Sequence, residues 1–180
     1  MLADSDAVTG FWRAAGEQRW FARSEAFDRD CEARFLTTHF AASRRELEHW
    51  TEHADGVLAL LILLDQVPRN VFRGSAHSYA TDSLARHYAV RGVDAGFDRQ
   101  VDRAMRIFFY LPFTHSEDIA DQERSLRLHR TFPGSGQDTW AARHHEVIRR
   151  FGRFPHRNAA LGRATTPEEQ AWLDAGGGFG

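Results

Sequence analysis

A chain of 180 residues with 23 basic and 25 acidic side chains, net charge −2, has the size of one domain and is close to charge balance. That balance argues against a dedicated nucleic-acid or membrane-surface protein, which carries a strong basic excess. All 23 basic residues are arginine, so Schiff-base and lysine general-base chemistry are excluded.

The start, Met1 to Asp6, lacks the basic and apolar regions of a secretory signal, so a cytoplasmic setting is expected. Periodicity is helical throughout, with no period-two alternation. A first helix starts at the Asp4-Ser5-Asp6 cap and carries Val8, Phe11 and Trp12. After Trp20-Phe21 a second begins near Ser24 with Phe27, Cys31, Phe35 and Phe40 on it. Cys31 is the single cysteine, which rules out an internal disulfide and reads as a reduced helix residue. Arg44 to Trp50 forms a short third helix.

Val57 to Leu64 is apolar on every side, too short to span a bilayer, and marks a buried central helix. Pro68 predicts its end near Val67. Ser75 caps the next helix, which Gly92 stops. Another covers about 97–111 and is halted by Pro112. Thr114-His115-Ser116-Glu117 matches a capping box that opens a helix towards Phe132. Pro133-Gly134-Ser135-Gly136 is a loop. Trp140, Val147, Ile148 and Phe151 form an apolar stripe. Thr166-Pro167-Glu168-Glu169 is a second capping box, opening the last helix. The expectation is one all-α domain over residues 1–175, of about eight or nine helices stacked as antiparallel pairs, and a disordered glycine-rich tail at 176–180.

Three segments carry a specific resemblance: Leu63-Leu64-Asp65-Gln66-Val67-Pro68-Arg69-Asn70-Val71-Phe72-Arg73-Gly74, Phe109 through Asp118, and Arg150 through Asn158. In order and spacing the chain resembles the bacterial domain-of-unknown-function family 924 (DUF924), with Val67 and Phe113 as mild departures. The resemblance implies an all-α fold similar to tetratricopeptide-repeat superhelices. It implies no activity.

Each segment holds a polar motif. In the first, Asp65 follows an apolar helix, where burial and the helix dipole both disfavour a carboxylate, so it needs a partner. Arg69 and Arg73 are the nearest in sequence, and Asp65-Gln66 with Arg69, Asn70 and Arg73 form either a structural ion pair or a site that reaches a ligand's carboxylate or phosphate. In the second, first-turn carboxylates explain Glu117 and Asp118 without function. His115 and Asp118, three apart, share a face suited to metal binding or acid–base work. The spacing matches no established metal signature, so no metal is expected, and His115 at a helix N-terminus should be neutral near pH 7. In the third, Arg149, Arg150 and Gly152 suit a helix C-terminus, whereas Arg153, His156 and Arg157 lie on a loop held by Phe154 and Pro155, where sites concentrate. Arginine interleaved with phenylalanine also suits base stacking, against which the net charge weighs.

The remaining features read as structural. The tryptophans pack between helices, and His144-His145 lie on a solvated face. No nucleophile elbow, phosphate loop or dinucleotide fingerprint is present. The leading expectation is a binding module in which Asp65, Arg69, Asn70, Arg73, His115, Glu117, Asp118, Arg153, His156 and Arg157 gather in one concavity for an anionic small molecule or peptide. An enzyme using His115, His156 or Glu117 for acid–base steps, with Arg153 and Arg157 holding negative charge, is the first alternative. A structural domain whose acidic and basic motifs neutralise each other is the second. No cofactor, nucleic-acid or membrane partner is expected.

Overall fold

The computed structural model describes residues 2–131 and 137–179; the expected loop at Pro133 to Gly136 and the last tail residue, Gly180, lie outside them. Every regular element among the described residues is helical. Two compact units emerge, one from the residues through Arg73 with His77–Pro112, the other from Gly74–Ala76 with Phe113 onward.

In the first unit, α1 (Ser5–Ala15) starts where the Asp4 carboxylate accepts the Ala7 N–H at 2.7 Å, and it buries Val8, Thr9 and Trp12. A single turn, α2 (Glu17–Trp20), brings the Trp20 indole N–H to the Trp12 carbonyl at 2.7 Å. Ser24 caps α3 (Glu25–Ser43), whose inner face holds Phe27, Cys31, Phe35 and His39. The Arg44–Trp50 region is a turn and a 3-10 segment rather than an α-helix. Then α4 (Ala54–Leu61) begins beside it, and Gly56 allows the approach: a Cβ there would lie 2.1 Å from the Trp50 carbonyl oxygen. The run from Val57 to Leu64 is buried, as its all-round apolarity requires. It packs against α1 and against α6 (Asp82–Asp94).

Pro68 does not stop this helix. The chain widens into a π-helical stretch over Ile62–Gln66, with the Val67 N–H bonded to the Ile62 carbonyl, and continues as α5 (Val67–Val71), Pro68 in its first turn. A missing N–H is cheap in a first turn, and the wider turn moves the ring off the preceding backbone. Two further expected boundaries also move. Ser75 precedes a 3-10 segment, and α6 starts only at Asp82. Gly92 lies inside α6 because a side chain there would press on Phe109 and Val57; the turn falls to Gly96, at φ +72°. Two 3-10 turns precede α7 (Ile107–Thr114), which includes Pro112 and ends two residues after it, so the ring disturbs the ladder only near its end.

In the second unit, α8 (Ile119–Arg130) packs against α9 (Gln137–Phe151), and α10 (Pro167–Asp174) follows a 3-10 turn at Pro155–Arg157. The Thr166–Glu169 capping box forms in full. The one expected at Thr114–Glu117 does not. Thr114 is the last residue of α7, its hydroxyl bonded to Ser125 at 2.7 Å and to His129 at 3.2 Å. Asp118, in extended backbone, caps α8 through the Ala120 N–H at 2.8 Å. The last helix ends in a two-bond reverse turn, Gly176 N–H to the Leu173 carbonyl and Gly177 N–H to the Trp172 carbonyl, with Gly176 at φ +82°. The tail expected to be disordered therefore turns back on α10, and Phe179 packs against Val147, Ile148 and Phe154.

Candidate functional site

Asp65, Arg69, Asn70 and Arg73 lie in the first unit, and their partners follow from the π-helical stretch. Pro68 has no N–H to offer the carbonyl one turn back, and four side chains donate to carbonyls along this stretch. His39 Nδ1–H donates to the Leu63 carbonyl at 2.8 Å and the Thr81 hydroxyl to that of Leu64 at 2.5 Å. Arg69 donates to the carbonyl of Asp65 at 2.5 Å and Asn70 to that of Gln66 at 3.0 Å. Asp65, 1% exposed, accepts from Arg69 at 3.1 Å and from the Gln66 amide at 2.5 Å. Arg69 also meets Asp82 at 2.9 Å. Burial acts to lower the Arg69 pKa, but the two carboxylates outweigh it and the guanidinium is held charged. Arg73 is bidentate to Asp28 at 2.7 and 2.9 Å and touches Asn70 Oδ1 at 2.9 Å. In this motif each arginine faces a carboxylate of its own chain, and the group secures the widened turn.

His115, Glu117, Asp118, Arg153, His156 and Arg157 lie in the second unit. Asp118 is the α8 cap. Arg153 is bidentate to the buried Glu169 at 2.6 and 2.8 Å; that bond holds the Glu169 carboxyl at about 2, with the Thr166 N–H assisting. Glu117 accepts two bonds from Arg163, at 2.8 and 3.0 Å, and the Phe154 N–H at 2.8 Å. Burial raises the Glu117 pKa, yet these donors bring it below the usual carboxylate range.

What converges beyond these pairs is a histidine–arginine group around Phe154. Arg157, 6% exposed, donates to the His115 carbonyl at 2.9 Å and lies 4.5 Å over the Phe154 ring. The His144 ring, 7% exposed, stands 5.6 Å from Phe154 and 6.2 Å from His115. Its Nδ1 bonds the Trp140 carbonyl at 2.8 Å; a carbonyl only accepts, so Nδ1 carries the proton and Nε2 the lone pair. Burial first, then the charges of His115, His156 and Arg157, push the His144 pKa down to about 3, so this imidazole is neutral. His156 completes the group at 5.6 Å from Phe154, and Phe179 stacks on His144 at 3.7 Å and 15°.

A family model described as a bacterial protein of unknown function, DUF924, matches residues 8–177. The chain belongs to the DUF924 family. This DUF924 chain is also similar to ATU0120 of Agrobacterium tumefaciens, whose structure is described as that of a protein of unknown function. The two are 48% identical, the match covers 95% of this chain and 97% of the other, and the TM-score is 0.92. No curated protein matches.

Sequence reasoning about this DUF924 protein missed three site residues. His144, read as solvated, is buried; it sits four residues after Trp140 and three before Val147, on the apolar stripe itself, and that spacing was the available signal. Arg163 and Phe179 carried no local signal. Among the described residues no group of three or more His, Cys, Asp or Glu is placed to hold a metal ion, and no helix is long and apolar enough to cross a membrane.

Proposed function

We propose that the protein is a binding module whose site is the histidine–arginine group of the second unit and whose ligand is an anion, either a small molecule or the acidic part of a peptide. One observation carries this reading: Arg157, His144 and His156 surround one buried aromatic floor at Phe154, and His115, from a third chain segment, lies beside His144 and Arg157. A buried guanidinium beside imidazoles suits bidentate recognition of a carboxylate or phosphate. The tetratricopeptide-like arrangement of helix pairs, which the α8–α9 packing supports, belongs to the same proposal, since such stacks serve recognition. So does a cytoplasmic setting, consistent with the buried lone thiol of Cys31.

The catalytic alternative is weaker. Of its candidates His115, His156 and Glu117, Glu117 is held ionised by Arg163 rather than orienting a histidine. The test is isothermal titration of the purified full chain with acetate, inorganic phosphate, phenylacetate and phenyl phosphate. At least one should bind, and Arg157→Gln should abolish that binding. Absence of binding by all four, or binding untouched by Arg157→Gln, overturns the reading.

A further inference from the structure

In this structure the aromatic ring of Phe179 occupies a cage. It stacks on His144 at 3.7 Å, stands edge-on to His156 at 5.6 Å and to Phe154 at 6.0 Å, and is flanked by Trp140 at 6.0 Å and Trp172 at 6.4 Å. Five rings from α9, the Phe154–Arg157 turn and α10 thus face one side chain, in the edge-on and stacked geometries that aromatic pairs favour. Trp140 stays 45% exposed, so the cage has an open wall.

The segment that delivers the ring is built for the task. Gly177 lies against the Trp172 indole, where a Cβ would come within 2.3 Å of Cδ2, so no other residue fits. Gly176 and Gly178, at φ +82° and +137°, take backbone that side chains avoid. A ring on three glycines is a tethered occupant: it competes with a free ligand at an effective concentration of roughly millimolar order.

We infer that Phe179 is an internal stand-in for an aromatic ring, so that the cage is a subsite for aryl acids and the Gly176–Phe179 strap must lift before they bind. The inference rests on the anion-binding reading above: the cage would take the ring, and the adjoining Arg157 and histidines the carboxylate or phosphate. A ligand that needs the open form binds with an apparent affinity reduced by the fraction of molecules that are open.

The experiment is titration of the full chain and of Phe179→Ala with phenylacetate and phenyl phosphate, alongside acetate and inorganic phosphate. The expected result is that Phe179→Ala binds the aryl acids about tenfold more tightly than the natural chain, the factor for a strap closed in roughly nine molecules of ten. The same variant should bind acetate and inorganic phosphate no better. Trp140→Ala, at an exposed position that folding tolerates, should weaken the aryl acids selectively. Equal aryl-acid affinity in the natural chain and Phe179→Ala overturns the strap while leaving the anion site standing. Acetate and phosphate binding as tightly as their aryl counterparts overturns the aromatic subsite alone. If neither chain binds any of the four, the anion-binding reading falls and the subsite with it.

Discussion

Replacing His144 by phenylalanine should remove a specific part of the acid sensitivity of the fold. The His144 imidazole is neutral in the native state with a pKa of about 3, against 6.5 ordinarily. A base whose folded pKa is depressed contributes stability that is complete above its unfolded value and lost as pH falls below it, because the unfolded chain takes the proton first. At pH 4.5 the solution lies two units below 6.5, and at about 1.4 kcal/mol per unit the loss is on the order of 3 kcal/mol. Phenylalanine keeps a ring against Phe179 and Phe154 but cannot titrate. Urea unfolding of both chains at pH 7.0 and 4.5 measures the difference: the natural protein should lose about 2–3 kcal/mol more than the variant between those values. His39, also depressed by burial, contributes equally to both and cancels. The carboxylates Glu117 and Glu169, whose folded pKa values are lowered, lose their contribution only as pH falls below about 4.5. Parallel pH profiles for the two chains would refute the claim that His144 is held neutral by its surroundings.

Three shorter predictions concern the other polar groups. Arg69→Met removes the guanidinium that Asp65 and Asp82 share and should destabilise by about 3–5 kcal/mol in chemical denaturation, with partial recovery when Asp65→Asn is added. Thr81→Val strands the Leu64 carbonyl and should lose about 1–3 kcal/mol. Adding Pro68→Ala supplies a backbone N–H near that carbonyl and should restore part of the loss, so strictly additive effects would count against the account of the widened turn. Arg153→Gln should lower the melting temperature yet leave anion affinity unchanged, since its guanidinium is engaged by Glu169, and calorimetry beside a thermal melt separates the two effects.

The fold was legible wherever the deciding interaction was local. Asp4, Ser24 and Thr166 cap helices with their own side chains, and all of their partners lie three residues away. The buried run from Val57 to Leu64 was equally plain, since no solvated face remains on it. Pro68 was misread because the rule against proline in a helix assumes that the freed carbonyls find no other donor. Here His39, 24 residues before Leu63, and Thr81, 17 residues after Leu64, supply them. Neither donor announces its target in the sequence. Gly92 failed for a related reason: a small residue that marks a stop locally was placed by packing against Phe109 and Val57.

The site divided along the same line, with residue chemistry legible and partner assignment not. Arg153 and Glu117, read as parts of one ligand cluster, are claimed by Glu169 and Arg163, 16 and 46 residues away along the chain. Once those pairs are removed, the group left around Phe154 owes its fourth member to a histidine on an apolar stripe and its occupant to the glycine-rich tail. That tail shows why composition misleads. Glycine runs signal freedom because an isolated chain of them has many conformations, yet Gly176 is set by a positive φ and Gly177 by the Trp172 indole at 2.3 Å from where a Cβ would stand. The property that makes the segment look disordered, absence of side chains, is the one that lets it turn tightly off α10 and set Phe179 on His144.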